Sequence, residues 1–146
     1  MIKLVLEHFI PSLIIALLVF FLFKKDFFLF LLPFLTGVLI DADHLLDFLL
    51  AYRKNFWKYL KTCATGEYFI TSGRIIVLLH SWEFVLLWFL FWLHFQRIDV
   101  AIIGSFSWIV HLFIDHMCYN LHPAAYFLTY RIYKKFNIQA ICMDKS

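Results

Sequence analysis

Four apolar runs constrain this chain more than any other feature: residues 4–23, 27–52, 75–95 and 98–122 contain no Lys or Arg and consist largely of Phe, Leu, Ile and Val. A helix of about 20 residues rises about 30 Å, the thickness of the hydrocarbon core of a bilayer. Four such helices in 146 residues leave almost nothing for a soluble domain, and a hydrophobic content of 64% agrees. The sequence therefore predicts an all-α, polytopic membrane protein. One transmembrane domain spans residues 1–146 as a four-transmembrane-helix bundle, with short interfacial amphipathic helices at 53–73 and 124–140.

The basic residues divide unevenly between the two sides of such a bundle. Lys3, Arg53, Lys54, Lys58, Lys61, Arg74, Arg131, Lys134, Lys135 and Lys145 fall on one side, and only Lys24, Lys25 and Arg97 on the other. The positive-inside rule then predicts a multi-pass protein of the cell inner (cytoplasmic) membrane with both termini cytoplasmic. The first run ends at Lys24, Lys25 and Asp26 without a small-residue cleavage site, which predicts a retained helix. Pro11 either opens that helix after an interfacial turn or kinks a longer one. The stretches "RKNFWKYLKTCATGEYFITSGR" and "AAYFLTYRIYKKFNIQAICMDKS" mix aromatic and basic residues, as surface-lying helices do. Thr71 and Ser72 are N-cap candidates for the third span. Cys63, Cys118 and Cys142 are odd in number and lack CxxC spacing, so they predict neither a disulfide framework nor a zinc knuckle.

Against this background stands "DADHLLD", residues 41–47. Asp41, Asp43, Asp47, Glu83 and Asp115 all lie inside the apolar runs. Each carboxylate costs roughly 2.5–3.5 kcal/mol at the centre of an inserted helix. With no Lys or Arg in the runs, the remaining titratable partners at these depths are His44, His80, His111 and His116. Carboxylates and imidazoles without amines form the ligand set of a divalent metal, zinc first, with manganese or iron as alternatives. Asp41 and His44 share a helix face at i, i+3, as do His80 and Glu83, and His111 and Asp115 share one at i, i+4. Counted from the cytoplasmic ends, His44, His80, Asp115 and His8 come in at roughly 13, 9, 10 and 7 Å, which brings them to one level.

Asp43 sits about 200° around a regular helix from Asp41, so both reach one site only if the backbone unwinds or two metals are spread across the helix. Pro33 and Gly37 just upstream are compatible with a broken helix. Asp47 is a candidate hydrogen-bond partner for His44. An isolated HxxxD in an apolar helix is also consistent with hydrogen-bonded helix glue. His94, His116 and His122 lie near span ends and read as interfacial or structural, and Trp82, Trp88, Trp92 and Trp108 as belt and packing residues.

The segments "EHFIPSLI", "DADH", "LLHSWE" and "SWIVHLFIDHM" together resemble the bacterial membrane-bound metal-dependent hydrolases, an inner-membrane family whose founding member is under LexA control. That family carries an early His, a Pro-Asp-x-Asp-His motif, a His-Arg-Gly-x-Thr-His-Ser motif and a late His-x-x-x-Asp. The resemblance implies that His8 matches the early His, and Asp41, Asp43 and His44 the acidic motif. His80 with Ser81 matches the end of the third motif, and His111 with Asp115 the last. Ile40 replaces the family's Pro, and Ile75, Ile76 and Val77 stand where His, Arg and Gly would be. Glu83 is the candidate substitute for the missing ligand, and Arg74 the nearest cation.

These readings predict a membrane-embedded metal-dependent hydrolase, acting by metal-activated water on a lipid or lipid-linked phosphoester at the cytoplasmic interface. Asp41, His44, His80, His111 and Asp115 are the principal ligand candidates. His8, Asp43 and Glu83 would complete a second metal, with Asp43 and Glu83 also the catalytic candidates. The alternative is an intramembrane divalent-metal binding or transport protein without hydrolytic activity. A third reading is a scaffold whose polar residues join helices. Expected partners are the lipid bilayer, a lipid substrate and a second copy of the chain in a homo-oligomer; no nucleic acid is expected.

Overall fold

The first apolar run forms α1 (Ile2–Leu22), which continues through Pro11 instead of starting at it. The computed structural model describes residues 2–23, 26–52, 67–119 and 121–142. On α1, His8, Ser12, Ile15, Ala16 and Val19 are buried at steps of three and four, while Phe9, Ile10, Ile14, Leu17, Leu18 and Phe21 face outward. The inner stripe thus carries the polar residues and the outer surface is apolar.

The second run forms α2 (Phe27–Gly37), whose first turn is capped by Asp26 accepting from Leu29 N–H at 3.1 Å. It does not continue as one helix. After Val38 the chain tightens into a 3₁₀ turn (Leu39–Asp43) before α3 (His44–Tyr52), and the two parts bend by 42°. The cause lies at Gly37. In an α-helix its carbonyl would accept from Asp41 N–H, but here it accepts from His111 Nδ1 at 2.8 Å, and Asp41 N–H turns to Val38 O at 3.3 Å.

Next come α4 (Glu67–Ser72), α5 (Trp82–His94) and α6 (Ile98–Cys118), then a 3₁₀ turn (Pro123–Tyr126), α7 (Leu128–Tyr133) and α8 (Ile138–Ile141). Helix α6 is the centre of the packing, with α2 and α5 against it and α1 on both α2 and α6. Ile15, Val19, Leu29, Leu32, Val100 and Ile103 form the core between them. Gly37 lets α1, α2 and α6 approach closely, and nearby Ser107 Oγ donates to Pro33 O at 3.1 Å. Among the described residues the fold is all-α, with only two isolated bridges, Arg74 with Asn137 and Leu121 with Cys142.

Three expectations change. The third run is helical only from Trp82; residues 74–81 are non-helical, so His80 and Glu83 do not share a helix face. Thr71 and Ser72 sit in the last turn of α4, donating to Glu67 O and Phe69 O, and cap no span. The segment 124–140 is not one amphipathic helix but three short pieces that fold back onto 73–75, through Ile75 N–H to Phe136 O and Ile138 N–H to Gly73 O. Of the expected interfacial segment 53–73, residues 53–66 lie outside the described ones.

Among the described residues, α6 alone is long and apolar enough to cross a membrane, and α2 with its bent continuation makes a second if counted as one span. The first and third runs supply shorter apolar helices, His8–Leu22 and Trp82–His94. A Cβ on Gly37 would collide with Ser12 Oγ and come within 2.7 Å of Ser107 Oγ. Gly37→Ala is therefore expected to destabilise the protein by about 1–3 kcal/mol. A thermal melt in detergent checks it, and Ser12→Ala in the same chain should recover part of the loss.

Candidate metal centre

The centre is built on residues 74–81, a segment without helix or sheet partners along most of its length. Side chains satisfy it instead. Asp47, fully buried, accepts from Ile76 N–H at 2.7 Å and Val77 N–H at 2.8 Å. Asp43 Oδ2 accepts from Leu79 N–H at 2.7 Å. Trp108 Nε1–H donates to Leu79 O at 3.0 Å. Arg131, 1% exposed, donates to Val77 O through Nη1 and to His80 O through Nη2 at 3.0 Å. Burial pulls the Arg131 pKa down, and the carboxylates of Asp43, Glu83 and Asp47 oppose that pull. With both edges of the segment held, His80 has a defined position.

His80 Nδ1 faces Asp43, 3.1 Å from Oδ1 and 3.3 Å from Oδ2, so its proton is directed there and Nε2 turns inward. His111 Nδ1 carries its proton too, because Gly37 O can only accept. The two Nε2 atoms stand 3.1 Å apart. Around them lie Asp41 Oδ1, 3.2 Å from His80 and 3.4 Å from His111, and Asp115 Oδ2, 3.3 Å from each. Each carboxylate oxygen thus lies 3.2–3.4 Å from both imidazole nitrogens, and such an arrangement of electron-pair donors repels unless a cation or added proton compensates it. Ligands held about 2.0–2.1 Å from a tetrahedral cation stand about 3.3–3.4 Å apart. The donor set and its spacing fit a metal ion.

Two further histidines flank this group. His8 Nε2 lies 3.3 Å from Asp115 Oδ1, and its ring stacks on His111 with centroids 4.2 Å apart. Its Nδ1 is buried and without a partner among the described residues. On the other side His44 Nε2 lies 3.6 Å from Asp41 Oδ1, and its Nδ1 is 2.7 Å from the Tyr68 hydroxyl. His8, His111 and Asp115 form one group whose donor atoms could hold a metal, and Asp41, His44 and His80 another. Comparison with protein-family models, curated proteins and solved structures gives no match.

Six of the eight residues expected as ligands thus meet: His8, Asp41, His44, His80, His111 and Asp115. The 3₁₀ turn decides where Asp41 and Asp43 point. In a 3₁₀ turn residues three apart eclipse, which aligns Asp41 with His44 and turns Asp43 to the far side of His80. Asp43 orients a ligand instead of joining the group. Glu83 is elsewhere: Oε2 accepts from Leu128 N–H at 2.9 Å, and Oε1 from Thr129 N–H at 3.0 Å and the Thr129 hydroxyl at 2.9 Å, capping α7. Asp47 binds the backbone of 76–77 and not His44. Arg74 is exposed, and among the described residues Arg131 is the cation that reaches this region.

Sequence reasoning missed Arg131, Tyr68 and the carbonyl of Gly37. Arg131 resembles any other basic residue in an aromatic tail, and only the fold-back of residues 121–142 buries it. His122 accepts from Ala124 N–H at 3.1 Å, and His116 lies against Tyr126.

Two substitutions separate these roles. Glu83→Ala is expected to cost about 0.5–2 kcal/mol through the lost cap on α7, while metal content by plasma mass spectrometry stays as in the native protein. Asp47→Asn leaves one of two buried N–H groups unsatisfied and is expected to cost about 1–3 kcal/mol, with metal affinity falling as His80 loses its support. Denaturation in detergent and metal titration check the pair.

Proposed function

We propose that this chain is a membrane-embedded, metal-dependent hydrolase of the inner membrane, using zinc and acting on a lipid or lipid-linked phosphoester at the cytoplasmic interface. The observation that carries the reading is that Asp41 Oδ1 and Asp115 Oδ2 each lie 3.2–3.4 Å from both His80 Nε2 and His111 Nε2, which are themselves 3.1 Å apart. A mixed set of imidazole nitrogens and carboxylate oxygens favours zinc over manganese, which prefers oxygen ligands. The four motifs that resemble the membrane-bound metal-dependent hydrolases support the reaction class.

Reversed polarity supports the membrane. Helix α6 buries Ser105, Ser107, His111 and Asp115 and exposes Ile102, Phe106, Ile109 and Phe113, opposite to a helix on the surface of a water-soluble protein. A four-span bundle requires the third crossing to be partly non-helical. Such backbone is tolerated at membrane depth where protein groups satisfy it, and Asp43, Asp47 and Arg131 do so for residues 76–80.

A divalent ion supplies Lewis acidity toward a water and toward the scissile phosphoryl or carbonyl oxygen. The chain's own residues determine access. His8, His80, His111 and Asp115 are buried, whereas the side chains of Asp41 and His44 are 32% and 20% exposed and form the open edge. The Phe69 ring lies 5.5 Å from that of His44, and Leu39 and Leu45, near these residues in sequence, are exposed. Exposed apolar side chains in the same stretch of chain suit a substrate with a charged head and acyl tails. Of the two catalytic candidates, Glu83 is engaged with residues 128–129, while Asp43 faces His80 Nδ1 and accepts from Leu79 N–H.

Protein purified in detergent without chelator is expected to contain at least one zinc per chain by plasma mass spectrometry, lost in Asp115→Ala and His111→Ala. The zinc-loaded protein should release product from phospholipid or lipid-pyrophosphate vesicles, and chelation should abolish it. Zinc uptake into proteoliposomes without hydrolysis would move the reading to transport. Failure to take up any metal on reconstitution would leave the cluster as hydrogen-bonded helix glue.

A further inference from the structure

A tetrahedral ion takes four ligands, yet six donor residues meet at the centre. His8 and His44 lie on opposite flanks, each facing a different carboxylate. A histidine serving only as a hydrogen-bond donor to a ligand should sit at hydrogen-bond distance from it. His44 Nε2 does not: 3.6 Å from Asp41 Oδ1 is too long for a hydrogen bond. Two ligands about 2.1 Å from a shared ion, at angles of 90–120°, stand about 3.0–3.6 Å apart, and this pair falls at the upper end of that range. His8 leaves a buried Nδ1 without a partner among the described residues, a poor arrangement for a residue kept only for packing.

The two groups also match each other in chemistry. His8, His111 and Asp115 provide two imidazoles and one carboxylate from α1 and α6. Asp41, His44 and His80 provide the same set from the broken second run and the 74–81 segment. Two histidines and a carboxylate form a recurrent divalent-metal triad. The carboxylates face both ways: Asp115 directs Oδ1 to His8 and Oδ2 to His80 and His111, while Asp41 Oδ1 is within 3.6 Å of His44, His80 and His111. All four imidazoles present Nε2 to these carboxylates.

We infer that the centre takes two divalent cations, one on His8, His111 and Asp115 and the other on Asp41, His44 and His80, with both carboxylates facing across between them. This inference rests on the metal-centre reading above and extends it from one ion to two. Two-ion centres recur in phosphatases and nucleases, in agreement with a phosphoester as substrate.

The full chain in detergent is titrated with manganese(II), and bound metal is counted by plasma mass spectrometry while low-temperature electron paramagnetic resonance reports coupling between ions. The native protein is expected to saturate at two ions per chain with an exchange-coupled spectrum. His8→Ala and His44→Ala should each retain one ion and give an uncoupled spectrum. His8→Gln, which keeps a hydrogen-bond donor, should also fall to one. Native protein saturating at one uncoupled ion, unchanged in His8→Gln, would overturn the second site and leave a single four-ligand centre. No metal bound from either manganese(II) or zinc(II) would overturn the metal-centre reading itself. The native count and spectrum need no variant, so an unstable substitution does not blunt the test.

Discussion

Buried charged side chains take the place of secondary structure along residues 76–80, and the rest of the centre depends on that substitution. Asp47 and Asp43 accept from the N–H groups of Ile76, Val77 and Leu79, and Arg131 donates to the carbonyls of Val77 and His80. Each charge is costly in an apolar interior when alone, and each backbone group is costly when unpaired. Together they satisfy one another. The result places an imidazole where a regular helix would not, at the meeting point of ligands from α1, α6 and the broken second run.

A second exchange of the same kind breaks α2. Gly37 gives its carbonyl to His111, and the 3₁₀ turn that follows carries Asp41 and Asp43 to opposite sides of His80. The break and the orientation of His111 are one event, because a single hydrogen bond ends the helix and assigns the proton to Nδ1. Gly37 also lacks the Cβ that would collide with Ser12, so the close approach of three helices and the position of the centre share one residue.

The C-terminal segment closes the assembly. Residues 121–142 fold back along 73–81, pack Ala125 and Ile141 against Ile75 and Val77, and deliver Arg131 into the interior. Glu83 contributes by capping α7, the helix that carries Arg131. A residue expected to contact substrate or metal thus acts two steps away, through the tail that holds the His80 segment.

Much of this was legible in the chain itself. Apolar runs favour helices, and so the all-α character and the approximate extents of α1 and α6 followed from composition and length, whereas the second and third runs broke where tertiary contacts intervened. Carboxylates and imidazoles in runs without amines can escape their burial cost only together, so the meeting of His8, Asp41, His44, His80, His111 and Asp115 followed from electrostatics. Their tertiary arrangement was decided elsewhere. Helical periodicity assumes that each backbone group pairs within its own helix, and it fails where distant side chains intervene: Asp47 on Ile76 and Val77, His111 on Gly37, Arg131 on His80. Those contacts join residues 29 to 74 positions apart. The sequence by itself determined which side chains could share a cation; only the tertiary structure decided which of them meet, because loss of local helical hydrogen bonds is compensated by groups that no local pattern identifies.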